Sequence, residues 1–308
     1  MQYNEDDKTN AGGRLLKSHL RNPLLHLGAL VLLLGALTDS VSAAGDARRG
    51  FYLAKAAGCM GCHTEDRKDA VPFAGGRALK TPFGTFYGPN ITPDPQAGIG
   101  RWTEADFVRA LHEGKRPDGA SYFPAFPYPS FTRITDEDAR DLWAYLRSIP
   151  PSNRMNQAHD VRFPFGWRPL VTAWKWLFFT PGRFVNDPQV AAQVNRGAYL
   201  VQALGHCSEC HTPRNFLGAP RRDRMLAGGK GPDGKNIPNL TPTRLKEWSD
   251  NDLKDLFTSG VMPDGDVPAA AMAEVIRNST SQLTPDDLQA LIAYLRVLPP
   301  LPDAPKEK

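Results

Sequence analysis

The stretch CMGCH, from Cys59 to His63, has a counterpart in the second half of the chain, CSECH, from Cys207 to His211. These two pentapeptides hold all four cysteines of the 308 residues. In each, the two thiols lie about one helical turn apart, and a histidine directly follows the second thiol. Thiols so spaced can each bond a vinyl group of one haem, and the adjacent imidazole then faces the iron. The pattern predicts two covalently bound c-type haems, attached through Cys59, Cys62, Cys207 and Cys210 and ligated by His63 and His211.

Three other uses of paired cysteines account for less of this pattern. A four-cysteine zinc site usually places its two C-x-x-C units about 15–20 residues apart, whereas these units are separated by more than a hundred. A thioredoxin-like redox pair has no need of a histidine after both second cysteines. A disulfide within each unit would also leave the two histidines unexplained. The repeated order of two cysteines and a histidine therefore favours haem attachment.

An export signal is predicted at the N-terminus. The apolar stretch PLLHLGALVLLLGAL (Pro23–Leu37) follows several basic residues and leads to small residues at Val41–Ala43. This order is typical of a secretory signal over residues 1–43, with cleavage near Ala43 or Ala44. The alternative is an uncleaved membrane anchor, because the apolar run is only a little shorter than a spanning helix. Export suits covalent haem, since attachment prevents its loss where no fresh supply exists.

Composition excludes one broad class of partner. The formal net charge is only +4, and no run of lysine and arginine forms a concentrated basic face. A nucleic-acid partner is therefore not expected. The sequence also contains no evident Ser/His/Asp or paired-carboxylate arrangement for hydrolysis.

The similarity between the two halves extends beyond the cysteine motifs. RRGFYLAKAAGCMGCHT (48–64) matches NRGAYLVQALGHCSECHT (195–212), which has one extra residue. Further pairs are PNITP (89–93) with PNLTP (238–242), RWTEADF at 101 with EWSDNDL at 247, PDG at 117 with PDG at 263, and DLWAYLRSIPP (141–151) with ALIAYLRVLPP (290–300). The matches predict a duplicated domain. The predicted organisation is a signal over 1–43, a first domain over 44–151, an aromatic-rich linker over 152–186, a second domain over 187–300 and a disordered tail over 301–308.

Each copy has the pattern of a small helical domain. Capping boxes predict the starts of the middle and last helices, at Thr103…Asp106, Ser249…Asp252, Thr135…Asp138 and Thr284…Asp287. The last helices carry apolar residues at i, i+3, i+4 and i+7, which indicates one buried stripe. Each ends before a Pro-Pro pair that cannot continue it.

These features resemble the class I cytochrome c fold, occurring twice. More closely, both halves resemble the dihaem and trihaem cytochromes that serve as electron-transfer subunits of bacterial periplasmic dehydrogenases for alcohols, aldehydes and sugar acids. The residues that carry the resemblance are LKTPFGTFYGPNITPD (79–94), GIGRWTEADFVRALHEG (98–114) and GAYLVQALGHCSECHTPRN (197–215). It covers residues 47–300, and the third copy of the trihaem members is missing.

The resemblance implies an all-α fold of two tandem class I cytochrome c domains with two molecules of haem c. It implies transfer of single electrons from a periplasmic or membrane-associated dehydrogenase to another cytochrome or an oxidase. The expected location is the periplasm, and association with the cytoplasmic membrane surface stays open. The alternative is a haem enzyme or small-ligand sensor with an open first haem.

The resemblance also implies where the second axial ligand lies. A class I domain supplies a methionine between the attachment motif and the last helix, and in the second copy this is Met272. Met272 is therefore expected to ligate the second iron, while Met262 lies beside a turn and Met225 is too near the motif. The spacing from the PDG turn to Met272 equals that from the first PDG turn to Phe126. Phe126 therefore stands where many relatives have methionine, and a phenyl ring cannot bind iron.

Three arrangements of the first haem remain open. The iron can be five-coordinate with Phe126 over its distal face, or a partner or small molecule can supply the ligand. A third option is another side chain, for which His112, Tyr122 and Tyr128 are nearest in sequence. The repeat does not mark His112 as a ligand, and it is expected on the solvated surface.

Two further expectations concern the surroundings of the haems. A ligating imidazole normally donates its other N–H to a carbonyl, and carbonyls beside Pro72 and Pro220 have matching positions after the two histidines. The aromatic segment Val161–Val185 is either a docking surface for a membrane or partner, or a connector that fills the seam between the domains. The connector is the favoured interpretation.

Overall fold

Five of the described helices, which begin at Ala47, Glu104, Asp136, Asp250 and Pro285, have a side-chain cap at their first turn. The computed structural model describes residues 44–231 and 234–303. The predicted signal over 1–43 lies outside the described residues. In the first half the elements are α1 (Ala47–Ala56), α2 (Cys59–His63), β1 (Ala78–Thr81), β2 (Gly84–Tyr87), α3 (Glu104–Glu113), α4 (Tyr128–Phe131) and α5 (Asp136–Ser148).

The connector and the second half follow in a similar order. The connector contains β3 (Asp160–Val161) and α6 (Arg168–Phe178). The second half contains α7 (Ala192–Tyr199), a π-helical turn (Leu200–Leu204), α8 (Ser208–His211), a 3-10 turn (Arg222–Arg224), β4 (Gly229–Lys230), β5 (Asn236–Ile237), α9 (Pro242–Leu245), α10 (Asp250–Ser259), α11 (Ala270–Asn278), a 3-10 turn (Thr280–Gln282) and α12 (Pro285–Val297). Among these residues no helix has both the length and the apolar content to cross a bilayer.

The predicted helical fold is confirmed, with small antiparallel sheets added to it. β1 pairs with β2 so that Leu79 lies opposite Phe86, and β3 of the connector continues this sheet with Val161 opposite Gly84. In the second half β4 pairs with β5 alone. In each half the hairpin closes the loop that follows the attachment motif.

The capping boxes form fully at two of the four predicted places. Thr103 and Ser249 exchange hydrogen bonds with Asp106 and Asp252 at the starts of α3 and α10. At α5 and α12 the threonine accepts from the backbone N–H of Asp138 or Asp287, but the two carboxylates bind other groups, described below. The predicted box is therefore only half present there.

The first and last helices of each half cross at very short range. A Cβ at Gly50 on α1 would lie 1.9 Å from the carbonyl oxygen of Asp141 on α5, and a Cβ at Gly197 on α7 would lie 1.9 Å from that of Ala290 on α12. Only glycine leaves room for this approach. Because α1 and α7 lead into the attachment motifs, the crossings determine where those motifs lie.

The two halves share one hydrophobic interior. Buried residues of both belong to a single continuous cluster, among them Leu53, Ile134 and Leu142 from the first half and Leu204, Leu253 and Leu295 from the second. The two halves are thus packed on each other within the described chain.

The connector contacts both halves, as the favoured interpretation predicted. Val171 of α6 packs with Phe86 and Phe123 of the first half, and Trp174 Nε1 donates to the carbonyl of Leu217 in the second half at 2.9 Å. Not all aromatic side chains of the connector are buried in these contacts, because Trp176 is 86% exposed.

The start of the C-terminal tail is anchored, contrary to the prediction of disorder over 301–308. Asn239 Nδ2 donates to the carbonyl of Leu301 at 2.8 Å, and Arg224 donates to that of Pro302 at 2.6 Å. Residues 304–308 lie outside the described residues.

Replacing Gly50 with alanine is expected to destabilise the protein by about 2–3 kcal/mol, because the added methyl group forces the crossing apart. Gly182→Ala is the control, since a Cβ there meets nothing within 4 Å and a change of less than about 0.5 kcal/mol is expected. Denaturant unfolding of the haem-loaded proteins measures both. Equal stability of Gly50→Ala and the wild type would contradict the close crossing.

Candidate functional site

Each attachment motif contains a short helix, and the backbone that leads into it differs between the two halves. Gly58 adopts a left-handed conformation with φ of 61° and turns the chain from α1 into α2, so that Cys59, Cys62 and His63 share one short helix. In the second half Cys207 is at the N-cap position of α8, and this helix contains Cys210 and His211. None of the four cysteines is paired in a disulfide. The residues can therefore offer two thiols and one imidazole to each of two porphyrins.

The geometry also bears on two of the three alternative uses of the cysteines, the disulfide and the zinc site. No disulfide joins either pair. Within residues 44–231 and 234–303, no three side chains of the Cys, His, Asp and Glu types converge as a metal site. The four thiols thus do not form the single cluster that a structural zinc ion needs.

Cys59, Cys62 and Cys207 are partly buried, and Cys210 is exposed. Burial raises the pKa of Cys59 to about 12 and that of Cys62 to about 11. Burial likewise raises the pKa of Cys207 to about 12. Cys210 contributes to the shift at Cys62, so the two motifs lie near each other in space.

Both motif histidines are oriented by backbone carbonyls. His63 Nδ1 lies 2.7 Å from the carbonyl oxygen of Pro89, and His211 Nδ1 lies 2.8 Å from that of Pro238. With the proton on Nδ1, each imidazole keeps its Nε2 lone pair for a metal. Burial lowers the pKa of both histidines, and the hydrogen bonds to the two carbonyls oppose this only in part.

The predicted position of these carbonyl acceptors was wrong. The prediction placed them beside Pro72 and Pro220, whereas the acceptors are Pro89 and Pro238. Distance along the chain from the histidine was a poor guide, because the acceptor loop returns only after the intervening hairpin. The matching stretches PNITP and PNLTP were the signal that could have located it.

A buried asparagine holds each of these carbonyl loops. Asn90 Oδ1 accepts from the backbone N–H of Thr92 at 2.9 Å, and its Nδ2 donates to the carbonyl of Ser152 at 2.8 Å. Asn239 makes the equivalent bonds to Thr241 and Leu301. The loop that orients the imidazole is thereby tied to the chain that follows the last helix.

The segments that contain Phe126 and Met272, called the distal segments here, have different local structures in the two halves. Met272 lies in α11, partly buried against the shared interior, while Met262 takes part in the turn before it. Met225 is also partly buried against this interior. Phe126, which matches Met272 in the sequence repeat, lies in a turn before α4, and its ring contacts other aromatic rings: Tyr122 at 5.3 Å, Phe131 at 5.7 Å and Tyr128 at 6.5 Å between centroids.

The expectation that His112 is solvated was wrong. Its side chain is 2% exposed at the end of α3, and neither ring nitrogen has a hydrogen-bond partner among the described residues. Nδ1 lies 3.5 Å from the carboxylate of Asp136, near Arg183 of the connector. Burial first, and then Arg183, lowers the pKa of His112 to about 4. The connector covers this side of α3, which the sequence pattern of α3 alone does not reveal.

The other two side chains considered for the first haem lie in the aromatic cluster. Tyr128 is fully buried, and its hydroxyl has no partner among the residues that the structure describes. Burial raises the pKa of Tyr122 to about 12 and raises that of Tyr128 further. Both therefore stay neutral phenols.

Each distal segment also touches the attachment motif of the other half. Ser130 at the end of the first distal loop donates to Glu209 of the second motif at 3.0 Å. Glu274 of α11 pairs with Arg77, which follows the first motif, at 2.6 Å. His206, the extra residue of the second copy, lies against Phe131 with a centroid separation of 5.5 Å.

Comparison with known proteins agrees with this double site. The family model described as "Cytochrome c" matches residues 47–150, and the one described as "Cytochrome C oxidase, cbb3-type, subunit III" matches residues 192–295. A diheme cytochrome c-type protein of Cereibacter sphaeroides is 43% identical in an alignment of 287 residues, and the match covers 88% of this chain and 96% of that protein.

Two further relatives are named as cytochrome c subunits of dehydrogenases. The subunit of alcohol dehydrogenase (quinone) from Gluconobacter oxydans is 39% identical over 83% of this chain, and the match covers 55% of its own length. The subunit of gluconate 2-dehydrogenase from Pantoea cypripedii is 36% identical over 87% of this chain and 64% of its own length. The chain thus spans little more than half of these two relatives and nearly all of the first.

The duplicated thiol and imidazole sites, the helical folds around them and the near full-length relative agree with one another. The chain belongs to the dihaem c-type cytochromes, with two tandem cytochrome c domains and two covalently bound haem c groups.

Proposed function

We propose that this protein is a periplasmic electron carrier that takes single electrons from a dehydrogenase and delivers them to another cytochrome or an oxidase. The observation that carries the proposal is the pair of attachment motifs, each with its histidine oriented by a carbonyl. The relatives named as cytochrome c subunits of alcohol and gluconate dehydrogenases support the choice of donor. The signal pattern of residues 1–43 supports the periplasm.

The proposed roles of the motif residues follow from their chemistry. Cys59 and Cys62 tether one haem, and Cys207 and Cys210 tether the other. His63 and His211 each present Nε2 to the iron while Nδ1 binds the carbonyl of Pro89 or Pro238. When bound, haem c supplies an iron that stores one electron. The surrounding apolar helices exclude water, which limits rearrangement when that charge changes.

The two haems are proposed to have different axial ligation. Met272 would hold the second haem through its thioether, and a thioether ligand together with histidine would raise the reduction potential. Phe126 stands in the equivalent place in the first half and offers no lone pair. The second haem therefore has the higher potential, other influences being equal.

A second candidate function follows from Phe126. The cluster of Tyr122, Phe126, Tyr128 and Phe131 offers only rings and phenols in the distal segment of the first half. An iron with an open position beside it could bind a small ligand such as nitric oxide or peroxide. In this case the protein is a haem enzyme or sensor, and the second haem supplies its electrons.

The donor assignment is tested by mixing the oxidised protein with a periplasmic extract of its host and an alcohol, an aldehyde or a sugar acid. Haem absorbance should show reduction that depends on one of these substrates, and added ferricytochrome c should then reoxidise the protein. A variant without the four motif cysteines is the control. No substrate-dependent reduction with any of the three classes would contradict a dehydrogenase donor.

Replacing Cys207 and Cys210 with alanine is expected to halve the covalent haem. The first attachment motif is intact in this variant, so one haem per chain should remain. Intact mass and the pyridine haemochrome measure the haem content after co-expression with the c-type maturation system. Replacing Met225 with leucine is the control and should leave two haems. Two haems in the cysteine variant would contradict the attachment assignment.

Exchange of the distal residues is expected to move the two potentials in opposite directions. Met272→Ala should lower the higher potential by an amount on the order of 0.1 V, a fraction of the ~0.8 V range that axial ligands can cover. Phe126→Met should raise the lower potential, because the first iron gains a thioether. Redox titration followed by haem absorbance measures both values.

Carbon monoxide binding to the reduced protein gives an independent check on the distal ligands. Wild-type protein should bind at one haem, Met272→Ala at both and Phe126→Met at neither. Met262→Ala is the matched control and should behave as wild type. Unchanged binding in Met272→Ala, or a loss in Met262→Ala, would contradict the ligand assignment.

A further inference from the structure

Two tyrosines reach from one domain to the other at equivalent positions. Tyr199 lies at the end of α7 in the second domain, and its hydroxyl donates to Asp138 Oδ2 on α5 of the first domain at 2.5 Å. The same hydroxyl accepts the backbone N–H of Thr135, the capping residue of α5, at 3.2 Å. One phenol thus binds two groups at the start of the other domain's last helix.

The reciprocal arrangement exists with the domains exchanged. Tyr52 lies on α1 of the first domain, and its hydroxyl donates to Asp287 Oδ2 on α12 at 2.5 Å. It accepts the backbone N–H of Thr284, the capping residue of α12, at 3.3 Å. Tyr52 and Tyr199 occupy matching positions of the repeat, so duplication produced the same contact twice.

An arginine of the same domain holds each acceptor carboxylate. Arg49 pairs with Asp138, and Arg196 binds Asp287 through two nitrogens at 2.7 and 2.6 Å. Both carboxylates are buried, with exposures of 1% for Asp138 and 8% for Asp287. Burial favours the neutral acid at Asp287, but the bonds from Arg196 and Tyr52 outweigh it and lower the pKa. Asp287 is therefore a charged acceptor for the phenol of Tyr52 at neutral pH.

The two contacts lie close to each other. Asp138 of the first contact and Tyr52 of the second both raise the pKa of Arg196 through their charges, so both lie near its guanidinium group. Together they form one polar cluster where α1 and α7 meet the last helices of the opposite domains. We call this cluster, made of Tyr52, Tyr199, Asp138, Asp287 and the two arginines, the tyrosine clasp.

The position of the tyrosine clasp connects it to the haems. Tyr52 lies on the helix that ends just before Cys59, and Tyr199 lies on the helix that continues towards Cys207. A rotation of one domain on the other would move these helices and the haems that they carry. Other contacts across the interface are near the same helices, such as the bond from Ser279 Oγ to the carbonyl of Ala56 at 2.8 Å.

We propose that Tyr52 and Tyr199 are positioning residues that fix the relative orientation of the two domains and thereby set the distance for electron transfer between the haems. This inference rests on the proposed function of electron transfer. The tyrosines do not carry the electron. They act through the two helices, because the tunnelling rate falls steeply with the separation of donor and acceptor.

The proposed positioning role depends on the tyrosine hydroxyls, whereas a role in packing alone would depend only on the aromatic rings. Phenylalanine at both positions keeps the aromatic surface but leaves the N–H groups of Thr135 and Thr284 without their acceptor. The buried carboxylates of Asp138 and Asp287 also lose a hydrogen-bond donor, and a buried polar group that loses a partner destabilises the contact that it belongs to. The lost hydrogen bonds weaken the contact between the domains and leave the interior of each domain unchanged.

The test uses the haem-loaded double variant Tyr52→Phe/Tyr199→Phe. Its control is Tyr294→Phe, which also removes a hydroxyl, but one that accepts from Gln202 Nε2 at 2.5 Å within the second domain. Three measurements are needed: the haem–haem distance distribution by pulsed dipolar EPR, the rate of internal electron transfer after photoreduction, and denaturant unfolding. Potentials and visible spectra of each haem confirm that both sites are intact.

The double variant is expected to keep both haem spectra and potentials. It should show a broader haem–haem distance distribution, internal transfer several-fold slower and unfolding that separates into two transitions. Tyr294→Phe should keep the wild-type distances and rate. A double variant with the wild-type distance distribution and rate would overturn the proposal, and so would an equal loss of rate in Tyr294→Phe.

Two further outcomes are assigned in advance. If the double variant does not fold, each single variant is measured, and wild-type distances and rates in both would overturn the proposal. If the wild-type protein itself shows no reduction by any dehydrogenase substrate, the proposed function fails. The inference on the clasp is then still decided by the distances and the photoreduction rate, which need no biological donor.

Discussion

The close crossing of the first and last helices within each half is the constraint on which the remaining structure depends. Gly50 and Gly197 allow a separation that any side chain would prevent. The first helix carries the attachment motif at its end, so the crossing determines where the thiols and the imidazole lie. The last helix carries Asp138 or Asp287 near its start, and the same crossing brings Arg49 or Arg196 against that carboxylate. One contact between backbones therefore organises both the haem site and the interface.

The carboxylates of Asp138 and Asp287, at the start of each last helix, stabilise the contact between the domains more than they stabilise their own helix. In a separate domain Asp138 or Asp287 could complete a capping box with the preceding threonine, as Asp106 and Asp252 do elsewhere in this chain. Here the carboxylates bind an arginine of their own half and a tyrosine of the other half. The helices still begin at the predicted residues because the threonine hydroxyl accepts the backbone N–H of Asp138 or Asp287, which is one of the two bonds of a capping box.

Much of this architecture could be predicted from sequence because the chain contains two copies of one pattern. The haem motifs, the helix starts and the common register of Phe126 and Met272 all follow from local spacing or from comparing the copies. The acceptor carbonyls at Pro89 and Pro238 were missed because a loop returns to the histidine from far along the chain. His112 was misjudged because the connector buries it, and no pattern within α3 records what packs on its outer side. The bonds of Tyr52 and Tyr199 could not be predicted, since a helical residue on a buried stripe looks the same whether its partner is in its own domain or the other.

Symmetry of the interface has a consequence for the direction of electron flow. The two halves of the tyrosine clasp use the same residue types at matching positions, so the contact between the domains is nearly equivalent when viewed from either haem. Such a contact can determine the rate of exchange between the haems but cannot favour one direction. On the proposed ligation, direction comes instead from a difference between the copies near iron, the thioether of Met272 against the phenyl ring of Phe126. If that ligation holds, the duplicated contact sets the geometry of the two haems, and the difference between Met272 and Phe126 sets the difference in potential that would make internal transfer directional.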